Sequence, residues 1–160
     1  MWVRDALPKA FPNTRVLLFG YDTALPNSNS FQNIHDIASS FIENLKASVL
    51  RPPAMRPLFV LAHSLGGIVF IDALVTLRIQ DDEMRRKIIG AVLFGVPSRG
   101  METEALAAIV NGQPNQVLVN DLSVNSEYLR RLQDRFSMIS NDIKGIWAYE
   151  TRTAPTVAVS

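Results

Sequence analysis

The stretch from Pro57 to Phe70, which reads P-L-F-V-L-A-H-S-L-G-G-I-V-F, predicts the central element of the fold. Its short apolar run from Leu58 to Ala62 is typical of a buried strand. Ser64 and Leu65 are followed by two glycines, and apolar residues then resume at Ile68 with helical spacing. The sequence therefore predicts a strand, a sharp turn and a helix, with Ser64 at the turn.

This turn matches the nucleophile-elbow pattern G-x-S-x-G, except that Ala62 replaces the first glycine. In an elbow, the serine hydroxyl stands clear of the backbone beneath the N-terminus of the following helix. We expect Gly66 to be required because a side chain there would collide with a neighbouring element. The alternative interpretation is that Ser64 caps an ordinary buried helix, and one serine could serve in both ways.

Composition limits the class of protein. A chain of 160 residues, 48% hydrophobic and 19% charged, is expected to form one globular domain over residues 1–160. The net charge is +1 and the longest basic cluster is Arg85-Arg86-Lys87, which argues against a nucleic-acid partner. The absence of cysteine excludes disulfides and thiolate metal sites, and we expect neither a metal nor a cofactor.

The N-terminal segment and the most apolar window indicate where in the cell we expect the protein. Charges within Met1 to Asp5 argue against a secretory signal. The most apolar long window, 57–77, contains His63, two glycines and Asp72, so it is a poor membrane span. We expect a cytoplasmic protein, with peripheral attachment to intracellular membranes as the alternative.

Predicted strands and helices alternate along the chain. This order predicts an α/β fold with a mostly parallel sheet and helices on both faces. The carboxyl ends of its strands should form one rim, where Ser64, the turn 97–100 and Glu150 fall. The predicted strands are 15–21, 58–62, 88–96 and 142–149, and the predicted helices are 34–49, 66–79, 102–110 and 126–139.

Five segments carry a family resemblance: W-x-R-D-x-L-P (2–8), V-L-x-F-G-Y-D (16–22), A-H-S-L-G-G (62–67), F-G-V-P-S-R-G (94–100) and Y-E-T (149–151). Together they make nearly the whole chain resemble the serine esterase or lipase-like α/β-hydrolases. Within these, the chain is most similar to serine active-site-containing proteins and to the esterase-like domains of fungal NACHT or ankyrin-repeat proteins. The resemblance implies an α/β-hydrolase fold and hydrolysis of a small ester or lipid by the nucleophile Ser64, with partner domains possible in a larger parent protein.

The chain departs from this family at three places. Ser98 stands where relatives carry a histidine in a G-T-P-H-x-G turn, and Val96 replaces the threonine. Relatives also have a strand before the tryptophan segment, ending in an H-G loop that supplies part of the oxyanion hole, and this sequence begins after it. We therefore expect an incomplete domain, truncated at both ends, with a gap between the predicted strand 15–21 and the elbow strand.

A catalytic base for Ser64 is missing from the expected place. Triads in this fold run serine, acid, histidine along the sequence, yet the last histidine is His63. We expect its side chain to leave the elbow in another direction, and a lone helix histidine such as His35 is more typical of a surface residue than of a base. Glu150 is the candidate acid, or alternatively an ordinary strand-end charge, and Asp142 lies at the wrong rim.

The leading hypothesis is a serine acyl hydrolase domain with nucleophile Ser64, oxyanion donor Leu65 N–H and acid Glu150, nearly inactive alone. Ala62, His63, Gly66 and Gly67 would then shape the elbow. The alternative is a non-catalytic, degenerate hydrolase fold that acts as a protein-interaction module. A nucleotide site at 64–67 is the weakest hypothesis. No lysine follows the two glycines as a P-loop requires, and no G-x-G-x-x-G motif follows a predicted strand.

Overall fold

A computed structural model describes residues 2–24, 28–49 and 56–149. The strands are β1 (Leu58–His63), β2 (Ile88–Phe94) and β3 (Lys144–Ala148). The helices are α1 (Trp2–Asp5), α2 (Leu7–Ala10), α3 (Ile34–Val49), α4 (Leu65–Gln80), α5 (Asp82–Arg86), α6 (Glu104–Ile109), α7 (Gln116–Asp121) and α8 (Glu127–Ser137), followed by a 3₁₀ turn at Ser140–Asp142.

The three strands form one parallel sheet in the order β1-β2-β3. Ala62 of β1 aligns with Leu93 of β2, which aligns with Trp147 of β3. The predicted α/β class, a parallel sheet flanked by helices as in part of an α/β-hydrolase fold, is confirmed. Because the strands are parallel, their carboxyl ends share one rim, and Ser64 lies directly after β1 at that rim.

Helix α4 is the core of the molecule. It is apolar on nearly every side, and its residues from Gly67 to Leu77 are all buried. Helix α3 packs against it through a stripe at helical spacing, which the sequence predicted. The residues of that stripe are Ile34, Ile37, Ala38, Ile42 and Leu45.

A buried carboxylate connects three helices. Asp72 of α4, 4% exposed, accepts hydrogen bonds from Thr76 Oγ1 at 3.0 Å and from the Tyr128 hydroxyl of α8. Its Oδ1 also lies 2.9 Å from Nδ1 of His35 on α3. Since a buried carboxylate is stable only when its oxygens are satisfied, these bonds fix α3 and α8 against α4. No local sequence pattern reveals the partners His35 and Tyr128, because they lie on other helices.

A short helix, α5, begins directly after α4. The side chain of Asp81 accepts from the Met84 N–H at 3.0 Å and so caps α5. Arg85, 3% exposed, pairs with Asp82 at 2.6 Å and with Asp142 at 3.2 Å. These ion pairs tie α5 to the turn that leads into β3.

The strand predicted at 15–21 is wrong: these residues are in neither a strand nor a helix. Their side chains still contact the core, since the Phe19 ring lies 5.2 Å from that of Phe41 on α3 and 5.8 Å from that of Tyr21. A strand needs a neighbour that accepts and donates backbone hydrogen bonds, and the described residues provide none beside 15–21.

The two faces of the sheet differ. The inner face, which carries Ala62 and Leu93, packs on α4. The outer face leaves large apolar side chains exposed, a pattern that soluble proteins usually avoid. They are Phe59 (58% exposed), Leu61 (44%), Phe94 (40%) and Ile146 (63%).

Replacement of Tyr128 by phenylalanine tests the Asp72 network. The change leaves one oxygen of a buried carboxylate without its donor, so we expect the free energy of unfolding to fall by about 1–3 kcal/mol. Tyr149→Phe is the matched control, because Tyr149 is 82% exposed, and it should change stability by less than about 0.5 kcal/mol. Urea unfolding of both variants measures this, and equal losses in the two would contradict the assigned role of Asp72.

Candidate active site

Ser64 occupies a strained corner between β1 and α4. Its backbone angles are φ 50 and ψ −127, in the positive-φ region that residues other than glycine rarely adopt. Such a conformation costs on the order of 1–3 kcal/mol and persists only where the surrounding structure imposes it. Two backbone bonds do so here: Ser64 N–H donates to Phe94 O at 2.9 Å, and Ser64 O accepts from Gly67 N–H at 2.9 Å.

The Ser64 side chain is not used for helix capping. Ser64 is the N-cap residue of α4, yet its hydroxyl makes no capping hydrogen bond. The residue is half-buried, neither enclosed in the core nor within the helix. By contrast, Ser126 at the start of α8 does cap, accepting from the Leu129 N–H at 3.4 Å. The geometry therefore favours a hydroxyl available for chemistry over a capping hydroxyl.

The first turn of α4 presents backbone N–H groups beside this hydroxyl. Leu65 and Gly66 belong to that turn, whose N–H groups have no partner within the helix. Such groups and the helix dipole favour negative charge. The candidate oxyanion donor, Leu65 N–H, is thus adjacent to Ser64.

Tyr21 is a residue of this site that sequence reasoning missed. Its hydroxyl lies 3.5 Å from the position that a Cβ on Gly66 would occupy, so it contacts the first turn of α4. Tyr21 is half-buried, and burial raises the pKa of its hydroxyl, which therefore stays protonated. Its only signal in the sequence is its place in the segment V-L-x-F-G-Y-D (16–22).

The steric requirement for glycine falls at a different position from the one predicted. A Cβ on Gly66 would make only an ordinary contact with Tyr21, so the expected collision at Gly66 is wrong. A Cβ on Gly67 would overlap the side chain of Val96 in the turn after β2. The two glycines differ because they face different segments: Gly67 faces the turn at 95–100, whereas Gly66 faces residues 15–21.

The turn after β2 lies against α4 and is hydrogen-bonded to β3 and to α8. Gly95, with φ 52, donates its N–H to Ala148 O at 2.8 Å. Gln133 of α8 donates a side-chain bond to the carbonyl of Ser98. The backbone of Ser98, in this turn, is therefore fixed to α8.

Within the described residues, neither histidine forms a hydrogen bond with Ser64. His63 is exposed, and no hydrogen bond joins it to another residue in the described ranges. Strand alternation puts it on the face opposite to Ala62. His35 is bound to Asp72, which lies eight residues beyond Ser64 and so roughly 12 Å along the axis of α4 at 1.5 Å per residue.

The remaining predictions concern the acid and bound groups. Glu150 lies outside the described residues, directly after Tyr149. Asp142 precedes β3 and pairs with Arg85, away from the rim that carries Ser64.

Within 2–24, 28–49 and 56–149, no group of three or more acidic or histidine side chains could hold a metal ion. In the same ranges, no helix is long and apolar enough to cross a bilayer.

The contact between Gly67 and Val96 gives a stability prediction. We expect Gly67→Ala to lower the free energy of unfolding by about 1–3 kcal/mol, because the added methyl forces α4 away from the turn after β2. Adding Val96→Ala should recover part of this loss. Gly20→Ala is the control, since a Cβ at Gly20 meets nothing within 4 Å. Thermal and urea unfolding measure all three variants, and an unchanged Gly67→Ala variant would contradict the close approach.

Comparison with known proteins supports the fold. No protein-family model matches the chain, and no curated protein matches it in sequence. Among solved structures it is similar to a phospholipase, PlaB from Legionella pneumophila, in a complex with thio-NAD. The two share 16% identity with a TM-score of 0.60, over 81% of this chain and 28% of the phospholipase chain. This chain thus has the fold of part of a lipase-like hydrolase and spans about a quarter of that phospholipase.

Proposed function

We propose that this chain is part of a serine acyl hydrolase in which Ser64 is the nucleophile. One observation carries the proposal: the hydroxyl is held at a strained corner at the rim of the sheet and is not used for capping. Backbone strain at a non-glycine residue is concentrated at functional sites, where it positions a group for reaction. An ordinary helix cap needs no such strain, since Ser126 caps α8 at φ −52.

The reaction that this geometry supports is acyl transfer. Ser64 Oγ attacks the carbonyl carbon of an ester, and its proton passes to a base. The carbonyl oxygen becomes an oxyanion, for which Leu65 N–H and the protonated Tyr21 hydroxyl are the donors we assign. When the tetrahedral intermediate collapses, the bond to the alkoxy oxygen breaks, and that oxygen takes the proton from the base and leaves as the alcohol. Water, deprotonated by the same base, then attacks the acyl-serine, releases the carboxylic acid and restores the Ser64 hydroxyl.

The base would have to come from outside these 160 residues. The sequence has two histidines, of which His35 is hydrogen-bonded to Asp72 and His63 follows the alternation of β1 to its exposed face, and we take neither as the base. Glu150, which follows the end of β3 by two residues in the sequence, remains the acid that we propose. Removing the base of a serine triad typically costs about 10⁴-fold or more in rate. We therefore infer that the chain alone is nearly inactive and that a longer polypeptide or a partner completes the site.

For the substrate we propose a carboxylic ester with a lipid acyl chain. The structural neighbour is a phospholipase, and the rim beside Ser64 continues into the exposed apolar outer face. A small soluble ester is the other substrate class. This mechanism needs no metal or cofactor, because serine, base and oxyanion donors supply all its steps.

A non-catalytic interaction module is the second candidate, and two observations favour it. The outer face exposes Phe59, Leu61, Phe94 and Ile146, and such patches mark protein–protein contacts. Among the described residues, no histidine forms a hydrogen bond with Ser64. In this alternative, Ser64 is a remnant that keeps its geometry but not its reactivity.

Chemical rescue separates the two candidates. A fluorophosphonate probe should label Ser64 slowly, and imidazole, which supplies the missing base in solution, should accelerate that labelling at least about tenfold. Peptide mapping locates the label, and Ser64→Ala and Ser98→Ala are the controls. Labelling of Ser64 that imidazole does not accelerate would favour the interaction module.

Steady-state hydrolysis provides the second readout. Without imidazole, hydrolysis of a short p-nitrophenyl ester should not exceed that of Ser64→Ala by more than about tenfold. Serine-dependent turnover near 1–1000 s⁻¹, the ordinary range for enzymes, would refute the inference that the chain alone lacks a base.

A further inference from the structure

A cleft lies between the sheet and helices α4 and α8. It encloses about 130 Å³. Its floor is formed by Phe70 and Leu74 of α4 and by Ala91 and Leu93 of β2, all of which are buried. Protein interiors are close-packed and contain few voids larger than a water molecule, so a cleft of this size against the core needs a local cause.

The cause is a pair of small residues on adjacent strands. Gly145 of β3 aligns with Ala91 of β2, and both line the cleft. A Cβ on Gly145 would meet only the indole Nε1 of Trp147, at 3.9 Å. Because side chains alternate along a strand, the next pair on this face is Leu93 and Trp147, which are both large. The space therefore exists because residue 145 has no side chain, and we name it the Gly145 cleft.

Two aromatic rings line this cleft, and one of them brings a hydrogen-bond donor. The rings of Phe136 on α8 and Trp147 on β3 have centroids 6.5 Å apart and planes at 66°, the edge-on arrangement that aromatic groups favour. Trp147 is 46% exposed, so the cleft is open to solvent beside β3. Within the described ranges, no residue accepts a hydrogen bond from its indole N–H. A molecule that fills the cleft and covers this N–H should therefore supply the acceptor.

We propose that the Gly145 cleft binds a small aromatic molecule that carries one hydrogen-bond acceptor. Its ring would lie against Phe70 and Leu74, in edge contact with Phe136, and its acceptor would take the indole N–H of Trp147. An apolar cavity of about 150 Å³ admits benzene, so a cleft of about 130 Å³ limits the ligand to a single ring of about six to eight non-hydrogen atoms. The apolar lining would supply the affinity, and the single polar contact would fix the orientation.

Other occupants match the cleft less well. An ordered water needs about two to four polar partners. Among the side chains that line the cleft, only Trp147 and Ser140 carry hydrogen-bonding groups, and the Ser140 hydroxyl already donates to the Ser137 carbonyl at 3.1 Å. A saturated hydrocarbon chain would cover the indole N–H without accepting a hydrogen bond from it, which is unfavourable.

The Gly145 cleft is distinct from the site at Ser64. The lining residue closest to Ser64 in the chain is Phe70, which lies six residues, or roughly 9 Å, further along α4. Binding in this cleft therefore does not depend on whether Ser64 is a nucleophile.

Titration with two probes of the same shape, pyridine and benzene, tests the proposal by NMR. Both are single six-membered rings, but only pyridine has an acceptor, its ring nitrogen, which is unprotonated at alkaline pH. The chain has two tryptophans and hence two indole N–H signals. Saturating pyridine should move the Trp147 indole proton downfield, as a new hydrogen bond does, and leave that of Trp2 unchanged. Benzene should shift the methyl signals of Leu74 and Leu93 without moving the indole proton downfield.

Two variants identify the contacts. Trp147→Phe keeps an aromatic ring and removes the donor, so it should weaken pyridine binding about fivefold and benzene binding less than about twofold. Gly145→Val fills the cleft from a position where a Cβ makes only an ordinary contact, so it should weaken both probes at least about tenfold. Gly20→Val, at a glycine that does not line the cleft, is the control and should bind both probes as the wild type does.

A smaller substitution keeps the test valid if the valine variant does not fold. Gly145→Ala adds one methyl group and should weaken both probes about threefold. The proposal would be overturned if neither probe shifts the methyl signals of Leu74 and Leu93 in a saturable way. Pyridine binding that is equally tight in Trp147→Phe, or probe binding that is unchanged by filling at residue 145, would overturn it as well.

Discussion

The backbone bond from Ser64 N–H to Phe94 O is the constraint on which the site depends. It extends the pairing of β1 and β2 by one residue, so the chain must turn at Ser64 itself before α4 begins at Leu65. The turn is sharp because strand and helix leave no connecting loop, and the positive φ of Ser64 is its result. The strained residue is therefore produced by the sheet and by the buried helix together, not by its own preference.

The rest of the core keeps α4 in the position that this corner requires. Asp72 fixes α4 to α3 and α8, and Gly67 lets the turn after β2 lie directly against the first turn of the helix. If α4 moved at Asp72 or at Gly67, we expect the strained backbone at Ser64 to relax and its hydroxyl to leave the rim of the sheet. The apolar interior and the buried carboxylate thus have one functional consequence, a serine hydroxyl held at the carboxyl rim of a parallel sheet.

Local sequence patterns correctly predicted the elements whose formation depends on residues close together in the chain. Helix α3 follows from apolar residues at helical spacing, and the corner at Ser64 follows from an apolar run, a serine and two glycines. The error at 15–21 has a physical cause: an apolar, β-rich run becomes a strand only beside a hydrogen-bonding neighbour, which a single segment does not reveal. The requirement for Gly67 rather than Gly66, and the partners of Asp72, depend on residues distant in sequence. His35 and Tyr128 lie 37 and 56 positions from Asp72.

The strain at Ser64 can be measured directly by comparing the unfolding free energies of Ser64→Gly and Ser64→Ala in urea. In ordinary conformations glycine is less stable than alanine by about 0.5–1 kcal/mol, because it loses more backbone entropy on folding. At φ 50 and ψ −127 the order should invert, with Ser64→Gly more stable than Ser64→Ala by about 1–2 kcal/mol. A glycine variant less stable than the alanine variant would show that residue 64 is unstrained and would contradict the account.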